Sequence, residues 1–210
     1  MKEIEFNLDE NPFVNLLSSR YSMSARINVE KLWKYCKEND KSFFVMSLGC
    51  LMNAVNQVPQ FKRRIMDDKV IEFDYLEGTC PIMDENNDIY LEMRVEPPQN
   101  FKSISDWHDY VKNLSSDILC GKEEGFNLDM SKRDSENIAN FSCIPWVDFD
   151  TLTTCVVESN QIQPLITWGR VNKDYEMSVA ITVSHIFVNG RELGYFYENA
   201  QKEFDQFDEI

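Results

Sequence analysis

The sequence predicts an α/β protein of the α+β type, with a mixed, largely antiparallel sheet and helices packed on it. Three observations carry this. Helix-spaced and alternating apolar stretches follow one another irregularly, without a repeating strand–helix unit. Several neighbouring strand-like stretches lie too close together to enclose a helical crossover, which favours antiparallel pairing. Finally, 210 residues with 43% hydrophobic content and only seven glycines and seven prolines suit one substantial core without long linkers, so a single domain over 1–210 is expected.

The elements follow in order. "INVEKLWKYCKEND" reads as a short helix capped by Asn28, with Val29, Leu32, Trp33 and Cys36 on one face. "SFFVMSLGCLMNAVNQV" is apolar almost all round and reads as a buried helix ending before Pro59. "FKRRI", a turn at Asp67-Asp68, and "VIEFDY" form a hairpin, and "DIYLEMRVE" adds a strand before Pro97-Pro98. In "SISDWHDYVKNLSSDILCGK", Ser103 and Asp106 make a capping box, and Ile104, Trp107, Val111, Leu114 and Ile118 form the buried stripe of a helix. His108 falls one step off that stripe among acidic neighbours and is expected at the surface. "GFNLDMSKRDSEN" reads as a polar loop. Strands then dominate: "IANFSCIPWVDF", "LTTCVVES", "PLITWGRV" and "YEMSVAITVSHI". In the last of these Met177, Val179, Ile181, Val183 and His185 share one face. "GRELGYFYENAQKEF" closes the chain as a helix burying Leu193, Phe196, Tyr197, Ala200 and Phe204.

A net charge of −15 repels phosphate backbones and anionic lipid, so neither nucleic acid nor a membrane surface is an expected partner. The opening "MKEIEFNLDENPF" has no basic region followed by an apolar stretch, and no run approaches 18 apolar residues; a cytoplasmic location is expected. The six cysteines include no C-x-x-C pair and the two histidines stand far apart, so no metal site is expected and the thiols read as reduced and mostly buried.

Chemistry centres on "SHIFVNG", where an alternating strand gives way to an Asn-Gly turn and a helix. A histidine there stands on an apolar strand and faces open space. Burial favours the neutral imidazole, whose free nitrogen can accept a proton. The same position suits a structural histidine completing an apolar face, and spacing leaves both readings open. No G-x-S-x-G elbow and no phosphate-cradling glycine loop is present. Cys143 or Cys155 paired with His185 would make a thiol acyl-enzyme site, a weaker alternative.

Over nearly its whole length the chain resembles the chloramphenicol acetyltransferase family. "FSCIPWVDFD" (141–150) resembles its Ser-x-x-Pro-Trp-Val-x-Phe-Asp segment, "PLITWGR" its Pro-x-x-Thr strand, and "VSHIFVNG" its His-His-x-x-x-Asp-Gly motif. "SARINVEKLWK", "FFVMSLGCLMNAVN" and "FKRRIMDDKVIEFD" follow in the family's order. The resemblance implies a CoA-dependent acyltransferase fold and direct acetyl transfer from acetyl-CoA, as co-substrate, to a hydroxyl of chloramphenicol or a related small acceptor, an activity of antibiotic resistance. By the match, His185 would be the general base, Ser142 the oxyanion donor, Thr167 the partner of an ordered water, and Leu152 and Thr154 acceptor-pocket walls. It also implies a homotrimer with active sites at subunit interfaces, the histidine from one chain and much of the acceptor pocket from the next. Dihydrolipoamide acyltransferase catalytic domains are similar in fold and mechanism.

Three departures matter. Ser184 replaces the first histidine of the motif. Asn189 replaces its aspartate, which in the family pairs an N-terminal arginine and braces the histidine loop; Arg20 is the candidate arginine here, Arg26 the second. The segment "FVNLLSSRYSM" is shorter than its family counterpart, and Thr154 sets a hydroxyl where the family tends to be apolar. These leave the acceptor open, and they admit a second reading: a trimeric relative that binds a small molecule or acyl-CoA with little turnover. Arg170 and Lys173 are expected as solvated turn residues rather than CoA contacts.

Overall fold

The computed structural model describes residues 1–84, 89–127, 135–154 and 161–207. Among them, nine strands and four α-helices run in the order β1 (Lys2–Ile4), β2 (Arg20–Asn28), α1 (Glu30–Glu38), α2 (Phe43–Asn56), β3 (Arg63–Met66), β4 (Lys69–Glu72), β5 (Glu77–Asp84), β6 (Ile89–Val95), α3 (Ile104–Leu119), β7 (Ile138–Ile144), β8 (Leu165–Val171), β9 (Glu176–Ser184) and α4 (Gly190–Asp205). The main sheet has the order β2-β9-β8-β7-β5-β6; a smaller one has β1-β4-β3. Within the main sheet β5–β7 and β7–β8 are parallel and the other pairs antiparallel, as the expected mixed sheet requires.

Helix α2 is the axis of the core. Ser42 caps it, its hydroxyl accepting the Val45 N–H, and every residue from Val45 to Asn56 is buried. Each fully buried leucine or valine there contributes about 1.5–3 kcal/mol. Asn56 reaches out of the helix: its side-chain Nδ2 donates to Leu76 O (3.0 Å) and its Oδ1 accepts the Leu76 N–H (2.7 Å), fixing the entry to β5. The fully buried Arg64 likewise ties the small sheet to β7, donating to the carbonyls of Phe61 and Ile138. The 67–68 hairpin forms as expected, with both aspartates at positive φ, 50° and 60°.

The structure corrects several expectations. Val29, not Asn28, occupies the cap position of α1, although Asn28 Oδ1 still accepts the Glu30 N–H at 3.1 Å. At α3, Ser103 Oγ accepts the Asp106 N–H (3.1 Å) as expected. His108 is buried, not superficial. Its Nε2 accepts the Ser42 N–H at the head of α2 (3.0 Å), so Nδ1 carries the proton and donates to Asp109 (2.8 Å). That bond, with Lys41 nearby, holds the Asp109 carboxyl below its ordinary range. Strand β5 was not among the expected elements. Pro81 is tolerated since the pairing of β5 with β7 stops at Thr79, so its missing N–H interrupts no bond on that side. The stretch 151–154 is irregular rather than a strand; the rest of "LTTCVVES" and 128–134 of the polar loop lie outside the described residues.

Candidate active site

The main sheet presents its apolar face to the helices and a polar face to the 145–154 segment. Ser142 on β7 stands in register with Thr167 on β8, and Thr167 with Ala180 on β9, so the three lie on one rung of the polar face. The covering segment sits directly on the strands. A Cβ at Gly169 would stand 2.7 Å from the Val147 carbonyl oxygen and 3.0 Å from the Phe149 ring, so only glycine lets that backbone approach. Ser178 donates to the Phe149 carbonyl. Arg26 clamps the segment through Asp148 (2.8 Å) and Asp150 (2.7 Å).

Beyond their pairing at Thr79 and Asn140, β5 and β7 separate, and a cavity of about 490 Å³ opens between Pro81–Met83 and Ser142–Ile144. Phe44, Tyr90 and Trp146 complete walls that are mostly apolar. Ser142 is their hydroxyl at the sheet.

His185 follows β9 directly and continues its pairing with β2, its N–H donating to Ser19 O at 2.7 Å. The turn behind it is braced by several hydrogen bonds. Ser184 O accepts the Val188 N–H (3.2 Å), Ser184 Oγ the Ile186 N–H (3.3 Å), and Asn11 Nδ2 donates to Ile186 O (2.9 Å). Tyr21 donates to Val188 O (3.1 Å); burial, and secondarily the Glu192 charge, pushes its phenol above the ordinary range, so the donor proton stays in place. The imidazole lies against two rings: Phe13 stacks on it at 3.8 Å with 8° between planes, and Tyr21 tilts against it at 4.6 Å. Its Nδ1 is buried without a hydrogen-bond partner. Asn189 heads α4, where Glu192 accepts its backbone N–H at 2.9 Å. Burial alone would raise the Glu192 carboxyl; the Asn189 N–H and Arg191 outweigh it and hold the group below its ordinary range.

The structure does not bring Ser142 and His185 together within one chain. From the rung at Ala180, His185 lies five residues further along β9, about 17 Å, and two strand spacings sideways, about 10 Å. Arg20 donates to the carbonyls of Gln161 (2.6 Å), Gln163 (3.0 Å) and Thr182 (3.4 Å), binding the 161–163 stretch to the sheet. Thr154 joins a hydroxyl chain on the polar face, 3.1 Å from Thr182 Oγ1, which is 2.7 Å from Ser22 Oγ. Leu152 is half-buried beside it. The Cys143 thiol is poorly suited as a nucleophile: burial pushes it up to about 12, and it lies on the face of β7 opposite that of Ser142. Cys155 lies outside the described residues. Arg170 is in β8 rather than in a turn and lines a second cavity of about 220 Å³ with Trp33, Phe43 and Trp168. The motif reading missed Phe13, Tyr21 and Asn11, because each acts across the fold on a histidine distant in sequence; it also missed that Ser184, next to His185, braces the turn through its hydroxyl and carbonyl.

The chain matches the chloramphenicol acetyltransferase family model over residues 8–201. It is 22% identical to the chloramphenicol acetyltransferase of Bacillus pumilus, over 94% of this chain and 88% of that protein. To that of Staphylococcus aureus it is 24% identical, over 90% and 87%. Among solved structures, a chloramphenicol acetyltransferase superposes with a TM-score of 0.76 at 19% identity over 90% of both chains. A probable dihydrolipoamide acetyltransferase of Listeria monocytogenes gives 0.61 at 14% identity, over 99% of this chain and 96% of that one.

Proposed function

Since the chain belongs to the chloramphenicol acetyltransferase family, an acetyl-CoA-dependent group of acyltransferases, we propose that it moves acetyl from acetyl-CoA to a hydroxyl of chloramphenicol or a related small acceptor, using His185 of one subunit and Ser142 of its neighbour in a homotrimer. His185 takes the proton from the acceptor hydroxyl as its oxygen attacks the thioester carbonyl. Ser142 donates to the oxyanion that forms, and such a donor is worth about 10²–10³ in rate. CoA thiolate leaves, and the proton held by His185 goes to it. Thr167, on the same rung, holds water beside the intermediate. No acyl-enzyme forms.

The observation that carries this reading is the separation of the two groups. An imidazole held by Phe13, Tyr21 and a hydrogen-bonded turn has its proposed partner about 20 Å away in the same chain, a gap that a second subunit closes. Trp146, Val147 and Leu17, 62%, 49% and 96% exposed, offer apolar surface for such a contact. The low-turnover reading rested on Asn189 in place of aspartate. The Glu192 carboxylate still anchors the turn behind His185 through the Asn189 backbone N–H, so the change from aspartate leaves that anchor in place. Among the described residues no helix is long and apolar enough to cross a membrane; a cytoplasmic enzyme with a soluble acceptor remains our reading.

The test is free-CoA release from acetyl-CoA, followed with a thiol reagent, in the presence of chloramphenicol and then of other hydroxylated antibiotics. Acceptor-dependent release that His185→Ala abolishes supports the proposal. A trimer that releases no CoA with any acceptor moves the low-turnover reading ahead.

A further inference from the structure

We infer that Glu92 forms an acceptor subsite for a protonated amine, in a cavity adjoining the one that begins at Ser142. The inference rests on the reading of Ser142 given above and names the class of acceptor.

Glu92 lies on β6 opposite Pro81 on β5. Beyond the last paired residues, Thr79 and Asn140, a gap lined by Pro81 and Ser142 divides β5 from β7, with Glu92 on the far side of β5. Two cavities span that interval. The one beginning at Ser142 shares Pro81 and Tyr90 with another of about 430 Å³, lined by Glu92, Leu91, Gly125 and Phe126.

The fold gives this carboxylate little in return for its burial. Burial pushes it above its ordinary range, and the Thr79 hydroxyl beside it has a single proton, which also reaches Asn140 Oδ1 at 3.0 Å. The nearby cation is engaged elsewhere: Arg94 binds Glu77, Glu136 (2.9 Å) and Asn137 (2.9 Å), with the Phe126 ring 5.3 Å away. Among the described residues Glu92 pairs with no cation. A carboxylate in a cavity that the Tyr90 and Phe126 rings and Asn127 also line has the chemistry that holds an ammonium group. It disfavours an acceptor whose far end carries only electron-rich oxygens.

Two probes test this: chloramphenicol, and its analogue with the aryl nitro group replaced by an aminomethyl group, protonated at pH 7. The wild-type enzyme is expected to favour the amine in kcat/KM by at least about tenfold. Glu92→Gln should remove that preference, lowering kcat/KM for the amine and raising it for chloramphenicol. Melting temperatures of both proteins report whether the variant is folded. Calorimetric binding of the amine probe is read in parallel and needs no turnover, so it judges the subsite even where the acetyltransferase reading fails. Tighter binding to wild type than to Glu92→Gln supports the inference. Equal binding, or a variant that lowers kcat/KM equally for both probes, overturns it.

Discussion

Replacing Phe13 with alanine should damage the chemistry more than the fold. The Phe13 ring stacks on the His185 imidazole at 3.8 Å, and such a pair is worth about 0.5–1.5 kcal/mol beyond the area it buries. Phe13 is only half-buried, so the cost to stability stays near 1–2 kcal/mol, a fall in Tm of about 2–8 °C for a chain of this size. The larger effect falls on rate. Without Phe13 the imidazole keeps Tyr21 at 4.6 Å but gains room to swing, and a displacement of about 1 Å costs on the order of 100-fold. The expected result is a kcat lowered between about tenfold and 100-fold, with KM for acetyl-CoA changed by less than about twofold. Phe13→Leu, which fills the space without a flat ring, should fall between. CoA-release kinetics corrected for folded protein by calorimetry make the comparison. An unchanged kcat, or a loss equal to the loss of folded protein, would refute the positioning role.

Other outcomes follow from single contacts. Gly169→Ala forces a Cβ to within 2.7 Å of the Val147 carbonyl; it should cost about 1–3 kcal/mol and lift the 147–149 segment, seen as a lower Tm and faster proteolysis there. Glu192→Gln weakens the bond to the Asn189 N–H. Because the folded carboxyl titrates below its unfolded value of 4.5, the stability it adds is present above that value and lost as pH falls through the folded one. The variant should therefore lie below wild type at pH 7 by about 1–2 kcal/mol and converge with it in acid, as urea unfolding across pH would show. With its thiol near 12, Cys143 should resist iodoacetamide at pH 8 in the folded protein, and Cys143→Ala should keep acyl transfer; mass spectrometry and the CoA assay check the two.

Much of the fold was legible because its signals are local. The alternation in β9, the all-round apolarity of α2 and the Asp67-Asp68 turn need no distant partner to be read. Strand β5 was hidden because a proline such as Pro81 breaks a strand only where the neighbour on its nitrogen side needs the missing N–H, and that depends on where β7 diverges. His108 looked superficial because its partner, the Ser42 N–H, lies 66 positions away. The site was half legible. His185, Ser142 and Thr167 stood out by their resemblance to family motifs, whereas Phe13, Tyr21 and Glu92 gain meaning only from what the fold packs beside them. The distance between His185 and Ser142 is set by strand order, which no motif records.

That distance is the centre of the account, and subunit complementation tests it most directly. Ser142→Ala keeps the base and His185→Ala keeps the oxyanion donor, so each homo-oligomer should be nearly inactive. When the two are unfolded together in equal amounts and refolded, an interface site is intact if a Ser142→Ala subunit supplies the histidine and a His185→Ala subunit the serine. Random assembly makes roughly one site in four intact (one half times one half), and activity should return to about a quarter of wild type. If the mixture recovers no activity while refolded wild type does, His185 and Ser142 do not meet between subunits, and the proposed active site is wrong.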